Sequence, residues 1–104
     1  MKDCIAFNQN RWNQVARKKG NPYTIPISHE ALMQARDKPI EVGLTVGRTV
    51  PAWWFEKAKG NKILGLACGG GQQGPLFAVK GFDTTIMDFS EAQLASDRLV
   101  ADRE

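Results

Sequence analysis

The sequence predicts an α/β protein: an incomplete, doubly wound parallel sheet behind a helical N-terminal extension. Three observations predict it. KILGLA (62–67) and DTTIMD (83–88) are short, largely apolar runs of the kind found in parallel strands buried on both faces. Between them lie three consecutive glycines and one helix-length pattern. Ahead of them, residues 1–61 carry three helical patterns punctuated by prolines and glycines.

The first helical pattern runs from about Ile5 to Lys19, with Trp12, Val15, Ala16 and Lys19 on one face. Gly20 and Pro22 stop it. NPYTIPIS (21–28) holds two prolines and is irregular. Ser28 caps a second helix, about His29 to Arg36, closed by Pro39. IEVGLTV (40–46) is a short strand or an extended crossing segment. Pro51 opens a third helix that bears Trp53, Trp54 and Phe55 and ends at Gly60. From Lys62 the order becomes strand, glycine loop, helix (72–80), strand, acid, helix. That is a βαβ unit followed by a helix, with Pro75 in the first turn of the inner helix and Gly81 at its end. Ser90 and Gln93 form a capping box for the last helix, whose Ala92, Ala95 and Leu99 share a face. The expected division is therefore 1–61, a helical extension, and 62–104, the first βαβα unit of a larger domain.

Composition excludes several classes. The chain has 104 residues, 42% hydrophobic and 24% charged, which suits one small globular domain. Its net charge of +3 is mildly basic. The basic cluster Arg17-Lys18-Lys19 sits at a helix end, where the dipole favours it, and no basic stripe interleaved with aromatics follows. Nucleic acid is not the expected partner. Cys4 and Cys68 lack metal-ligand spacing and read as reduced thiols, so no metal is expected. There is no signal-peptide core and no apolar run of membrane-spanning length, so the expected location is cytoplasmic, with no membrane partner.

The glycine loop carries the chemistry. Glycines after a buried strand let a ligand approach the backbone. Asp88 ends the next strand, 19 residues after Gly69, where a carboxylate typically bonds a ribose hydroxyl. A nucleoside triphosphate is not expected, because Gln72 and Gln73 stand where a phosphate-binding loop has Lys-Ser/Thr. Two cofactors remain. Gly69, Gly71 and Gly74 satisfy the dinucleotide pattern G-x-G-x-x-G. S-adenosylmethionine carries a carboxylate and a ribose but no phosphate.

The strings ILGLACGGGQQG and TTIMDFSEAQLASDRLVADRE resemble the first two motifs of class I S-adenosylmethionine-dependent methyltransferases. The resemblance covers residues 62–104, and NPYTIPIS and VPAWW resemble the N-terminal extension of one bacterial branch. It implies a Rossmann-like sheet and S-adenosylmethionine as cofactor. It implies cofactor contacts at Ala67, Cys68, Gly69, Gly70, Gly71, Gln72, Asp88, Phe89 and Gln93, with Asp88 on the ribose and Phe89 beside the adenine. Gly65 stands where the family has an acid, and Ala67 where it has its first glycine.

No residue is assigned to the methyl acceptor, and none is named catalytic. Cys68 is not expected to act as a nucleophile, because methyl transfer requires none of the protein. His29 is expected to be solvated, Arg98, Asp102 and Arg103 to form a wet helix face, and the three tryptophans to be core or interface residues. The family's domain has seven strands and two are recognisable here, so the sequence reads as a truncated domain whose open sheet edges pair with another copy in a homodimer or larger. The rival readings are a fragment of a nicotinamide-dependent oxidoreductase and a non-catalytic half-domain acting through self-association.

Overall fold

The computed structural model describes residues 2–18 and 20–104. Helix α1 spans Lys2–Arg17, with Asp3 in its first turn and Arg17 in its last, both favourable to the helix dipole. Lys19 lies outside the described residues. Asn21 accepts a hydrogen bond from Tyr23 N and so caps a short 3-10 turn, Pro22–Thr24. Helix α2 spans His29–Arg36, and Ser28 Oγ caps it by accepting from Ala31 N at 3.2 Å. Strands β1 (Gly43–Thr45) and β2 (Arg48–Thr49) then form a small antiparallel hairpin. Helix α3 spans Ala52–Glu56 behind Pro51.

Strand β3 (Lys62–Leu66), helix α4 (Gln73–Val79), strand β4 (Asp83–Met87) and helix α5 (Glu91–Arg103) complete the chain. Strands β3 and β4 are adjacent and parallel, with Ile63 opposite Thr84 and Leu66 opposite Met87. The strand–helix–strand order read from the two apolar runs is therefore present. The structure is mixed α/β, with a two-stranded parallel sheet beneath helices.

Three expectations need correction. The 40–46 segment is one arm of a hairpin whose second strand was not expected; Gly47, at φ +84°, makes the turn between them. Strands β3 and β4 are not buried on both faces. Ile63, Gly65, Thr84 and Ile86 are half-buried, while Leu64, Leu66 and Met87 are 55–65% exposed on the other face. The reason is where the extension packs: α1 lies on α5 and α2 lies on α4, so helices cover helices and leave one sheet face bare. On α5 Gln93 and Val100 are buried and Asp97 is half-buried, while of the face formed by Ala92, Ala95 and Leu99 Ala92 is half-buried and the other two are exposed.

The core is small. Leu32, Val42, Phe77 and Val100 are its buried apolar side chains. Phe77 stacks against Phe55 and Phe82, with centroids 5.3 and 6.0 Å away, tying α3 to α4. Trp53 and Trp54 are more than half exposed and Trp12 is 41% exposed, so none is a core residue of this chain. Lys80 Nζ donates to the carbonyls of Arg36 and Lys38, satisfying the C-terminal end of α2.

Ser90 is fully buried. Its hydroxyl donates to Asn13 Oδ1 at 2.7 Å and accepts from Gln93 N at 3.2 Å, so one side chain caps α5 and docks α1. The capping box is half formed, because Ser90 N donates to Asp88 and not to the Gln93 side chain. Ser90→Ala is expected to destabilise the chain by about 1–3 kcal/mol, because the lost cap leaves the buried Gln93 N–H without an acceptor. Urea denaturation measures this.

Candidate functional site

The turn after β3 begins with Ala67, whose N–H extends the ladder by donating to Met87 O at 2.8 Å. Ala67 adopts φ +52°, the left-handed conformation that side chains disfavour. A position usually held by glycine is thus held by alanine with glycine's backbone geometry. Gly65 leaves no room for a side chain. A Cβ there would collide with Cys68 Sγ and would lie 2.7 Å from Ile86 Cδ1. The half-buried Cys68 thiol occupies that space.

The three glycines are held from inside the fold. Gly69 N donates to Asp88 Oδ2 at 2.9 Å. Gly70 N is shared between Gln93 O at 3.0 Å and Asp97 Oδ2 at 3.1 Å. Asp88 Oδ1 also accepts from Ser90 N at 2.9 Å, so one carboxylate joins the glycine turn to the start of α5. Close approach dictates the glycines: a Cβ on Gly69 would lie 2.8 Å from Gln93 Cβ, and one on Gly71 would lie 2.7 Å from Ser96 O.

A second grip comes from the irregular segment 21–27. Ile27 N donates to Gly71 O at 2.8 Å. Gln72 Nε2 donates to Pro22 O at 2.6 Å and Ile25 O at 2.8 Å. Arg103 Nη2 reaches Ile27 O from α5. The two prolines remove backbone donors, and the carbonyls of Pro22, Ile25 and Ile27 accept these bonds. Helix α1 closes a third side, where Gln9 Nε2 donates to Phe89 O at 2.7 Å.

The residues singled out from sequence therefore meet around one turn. Asp88 and Gly69 are in direct contact, Gln93 is buried behind Gly70, and Phe89 is 43% exposed beside them. The Gln72 side chain is committed to the 22–25 carbonyls. Sequence reasoning missed Asp97, Gln9 and Asn13, and it gave the 21–27 segment no place at the site. Only Asp97 carried a signal, four residues after Gln93 on the same helix face. His29 is exposed but paired, its Nδ1 2.7 Å from Glu104 Oε2. On the last helix Arg103 pairs with Glu104; Arg98 and Asp102 form no salt bridge among the described residues.

The site is rich in acceptors. Burial raises the Asp97 carboxyl above the usual carboxylate range; the amides of Gly70 and Gly71 pull it back, and the charge of Asp88 pushes it up. Burial, then Asp97 and Asp88, also raise the Cys68 thiol, which keeps it protonated and unreactive at neutral pH. Gln93 Oε1 and Asp97 Oδ1 are buried acceptors without partners. A ligand that brings donors or positive charge suits this turn better than one that brings phosphate. Among the described residues, no cluster of three His, Cys, Asp or Glu could hold a metal, and no helix is long and apolar enough to cross a membrane.

No protein-family model matches the chain. Over all of its 104 residues the chain is 38% identical to a protein of Bacillus subtilis (strain 168) named uncharacterized methyltransferase YbaJ. It spans 40% of that protein's length.

Replacing Ala67 by glycine tests the backbone reading. The left-handed penalty is about 1–2 kcal/mol, and glycine's extra chain entropy costs about 0.5–1 kcal/mol. Ala67→Gly is expected to leave stability unchanged or raise it by up to about 1.5 kcal/mol, read from the urea midpoint at constant slope.

Proposed function

We propose that the chain is the cofactor-binding portion of a class I S-adenosylmethionine-dependent methyltransferase. In this reading residues 62–104 form the first βαβα unit of a Rossmann-like domain and residues 1–61 a helical extension over it. The observation that carries it is Asp88 at the tip of β4, bonded to the glycine turn at 2.9 Å. Each of its oxygens accepts one backbone N–H and keeps a further lone pair for a ribose hydroxyl. The likeness to a protein named as a methyltransferase supports the same reading.

The residues fit the cofactor. Asp88 would hold the ribose, half-exposed Phe89 would lie along the adenine, and the turn from Ala67 to Gly71 would pass close to the nucleoside. Gln93, with an unpartnered acceptor, would receive a donor. When bound, the cofactor supplies an activated methyl on a sulfonium for attack by an acceptor. This chain's own contribution is binding, orientation and exclusion of water. A nicotinamide dinucleotide fits less well, because its pyrophosphate would face a turn whose Gly69 and Gly70 N–H groups already point at carboxylates.

Calorimetry on the chain with each cofactor separates these readings. S-adenosylmethionine is expected to bind and to raise the melting temperature, and NAD to do neither. Asp88→Ala is expected to weaken S-adenosylmethionine binding by about 1–3 kcal/mol. It should also lower stability by about 1–2 kcal/mol, since two amides lose an acceptor. Unchanged affinity would reduce Asp88 to a helix-entry residue, and binding of neither cofactor would favour a non-catalytic half-domain.

A further inference from the structure

We infer that Asp97 is a positioning residue for the cofactor loop: from the second turn of α5 it holds Gly70 in the geometry that the nucleoside meets. The inference rests on the methyltransferase reading and goes beyond it, because Asp97 belongs to neither glycine motif nor strand tip. Asp97 Oδ2 accepts from Gly70 N at 3.1 Å. Its other oxygen is buried and sits where a Cβ on Gly74 would come within 3.1 Å. The carboxylate is thus wedged between the glycine turn and the first turn of α4. Gly74, the last glycine of the dinucleotide-like pattern, is small here because Ile86 and Asp97 pack against it, at 2.9 and 3.1 Å from such a Cβ.

Together, Asp88 and Asp97 divide the turn. One carboxylate takes Gly69 N and the other Gly70 N. Each comes from a different element, so the turn is fixed relative to both β4 and α5. A turn held at two successive amides has fewer conformations to lose when the ligand arrives, which is how preorganisation raises affinity.

The groups facing Asp97 are Asp88 from the tip of β4 and Cys68 from the loop. His29 and Arg36 of α2 and Glu104 of its own helix share the cavity of about 660 Å³ that Asp97 borders. The test uses the 104-residue chain in three forms: wild type, Asp97→Asn and Asp97→Ala. Asparagine keeps an acceptor for Gly70 N without the charge, and alanine removes it. Two measurements are made where all three are folded by circular dichroism. The first is the pH dependence of the Gly70 amide proton shift. It should report a carboxyl titrating above the usual range in wild type and lose that inflection in both variants. The second is S-adenosylmethionine affinity by calorimetry. Asp97→Ala should bind about tenfold more weakly, equal to about 1.4 kcal/mol, and Asp97→Asn within about threefold of wild type. A Gly70 amide blind to Asp97, an alanine variant that binds as tightly as wild type, or an asparagine variant as weak as alanine would each overturn the inference. Failure of wild type to bind S-adenosylmethionine would overturn the methyltransferase reading and the cofactor role with it. The Gly70 titration would still decide whether Asp97 holds the loop.

Discussion

The structure around the site depends on carboxylate oxygens meeting the backbone amides of a glycine turn. Asp88 bonds Gly69 N and Ser90 N, and Asp97 bonds Gly70 N. These bonds join β3, β4 and α5 at one point. They require the turn to approach α5 so closely that side chains on Gly69 and Gly71 would strike Gln93 and Ser96. The glycines are therefore set first by the fold's own packing, and the opening left for a ligand is what remains outside it. Buried charge is tolerated because backbone amides solvate it.

The N-terminal half secures that arrangement from outside. Asn13 meets the buried Ser90 hydroxyl, Gln9 meets Phe89 O, and the 21–27 segment is tied to Gly71 and Gln72. These are mostly side chain–backbone bonds, and those made by side chains join residues 47 to 80 positions apart in the chain. They substitute for apolar burial, which is modest here, with Leu32, Val42, Phe77 and Val100 as the buried apolar side chains. Because α1 and α2 spend their contacts on α5 and α4, Leu64, Leu66 and Met87 stay exposed on the opposite sheet face.

Local chemistry was legible wherever one short stretch carried its own instruction. Ser28 caps α2, Pro51 precedes α3, the apolar runs form β3 and β4, and Ser90 caps α5. Most of the candidate site was legible too, since Gly69, Gly70, Asp88, Phe89 and Gln93 gather at one turn. The inward face of α5 was only partly legible, for a physical reason. Apolar periodicity marks Ala92, Ala95 and Leu99, but α5 meets the glycine turn, where the Asp97 carboxylate takes the Gly70 amide.

The sequence by itself determined the order of elements from β3 onward, the parallel pair of strands, and the glycine turn opposite an acid, because each depends on neighbouring residues or on a short repeat of polarity. Tertiary structure alone decided which acceptor each amide takes. It also decided that Gln72 turns to the 22–25 carbonyls, that Cys68 fills the space beside Gly65, and that one sheet face stays open. Those outcomes depend on distances between segments far apart in the chain. A hydrogen bond of about 3 Å between such segments has no signature in the spacing of either.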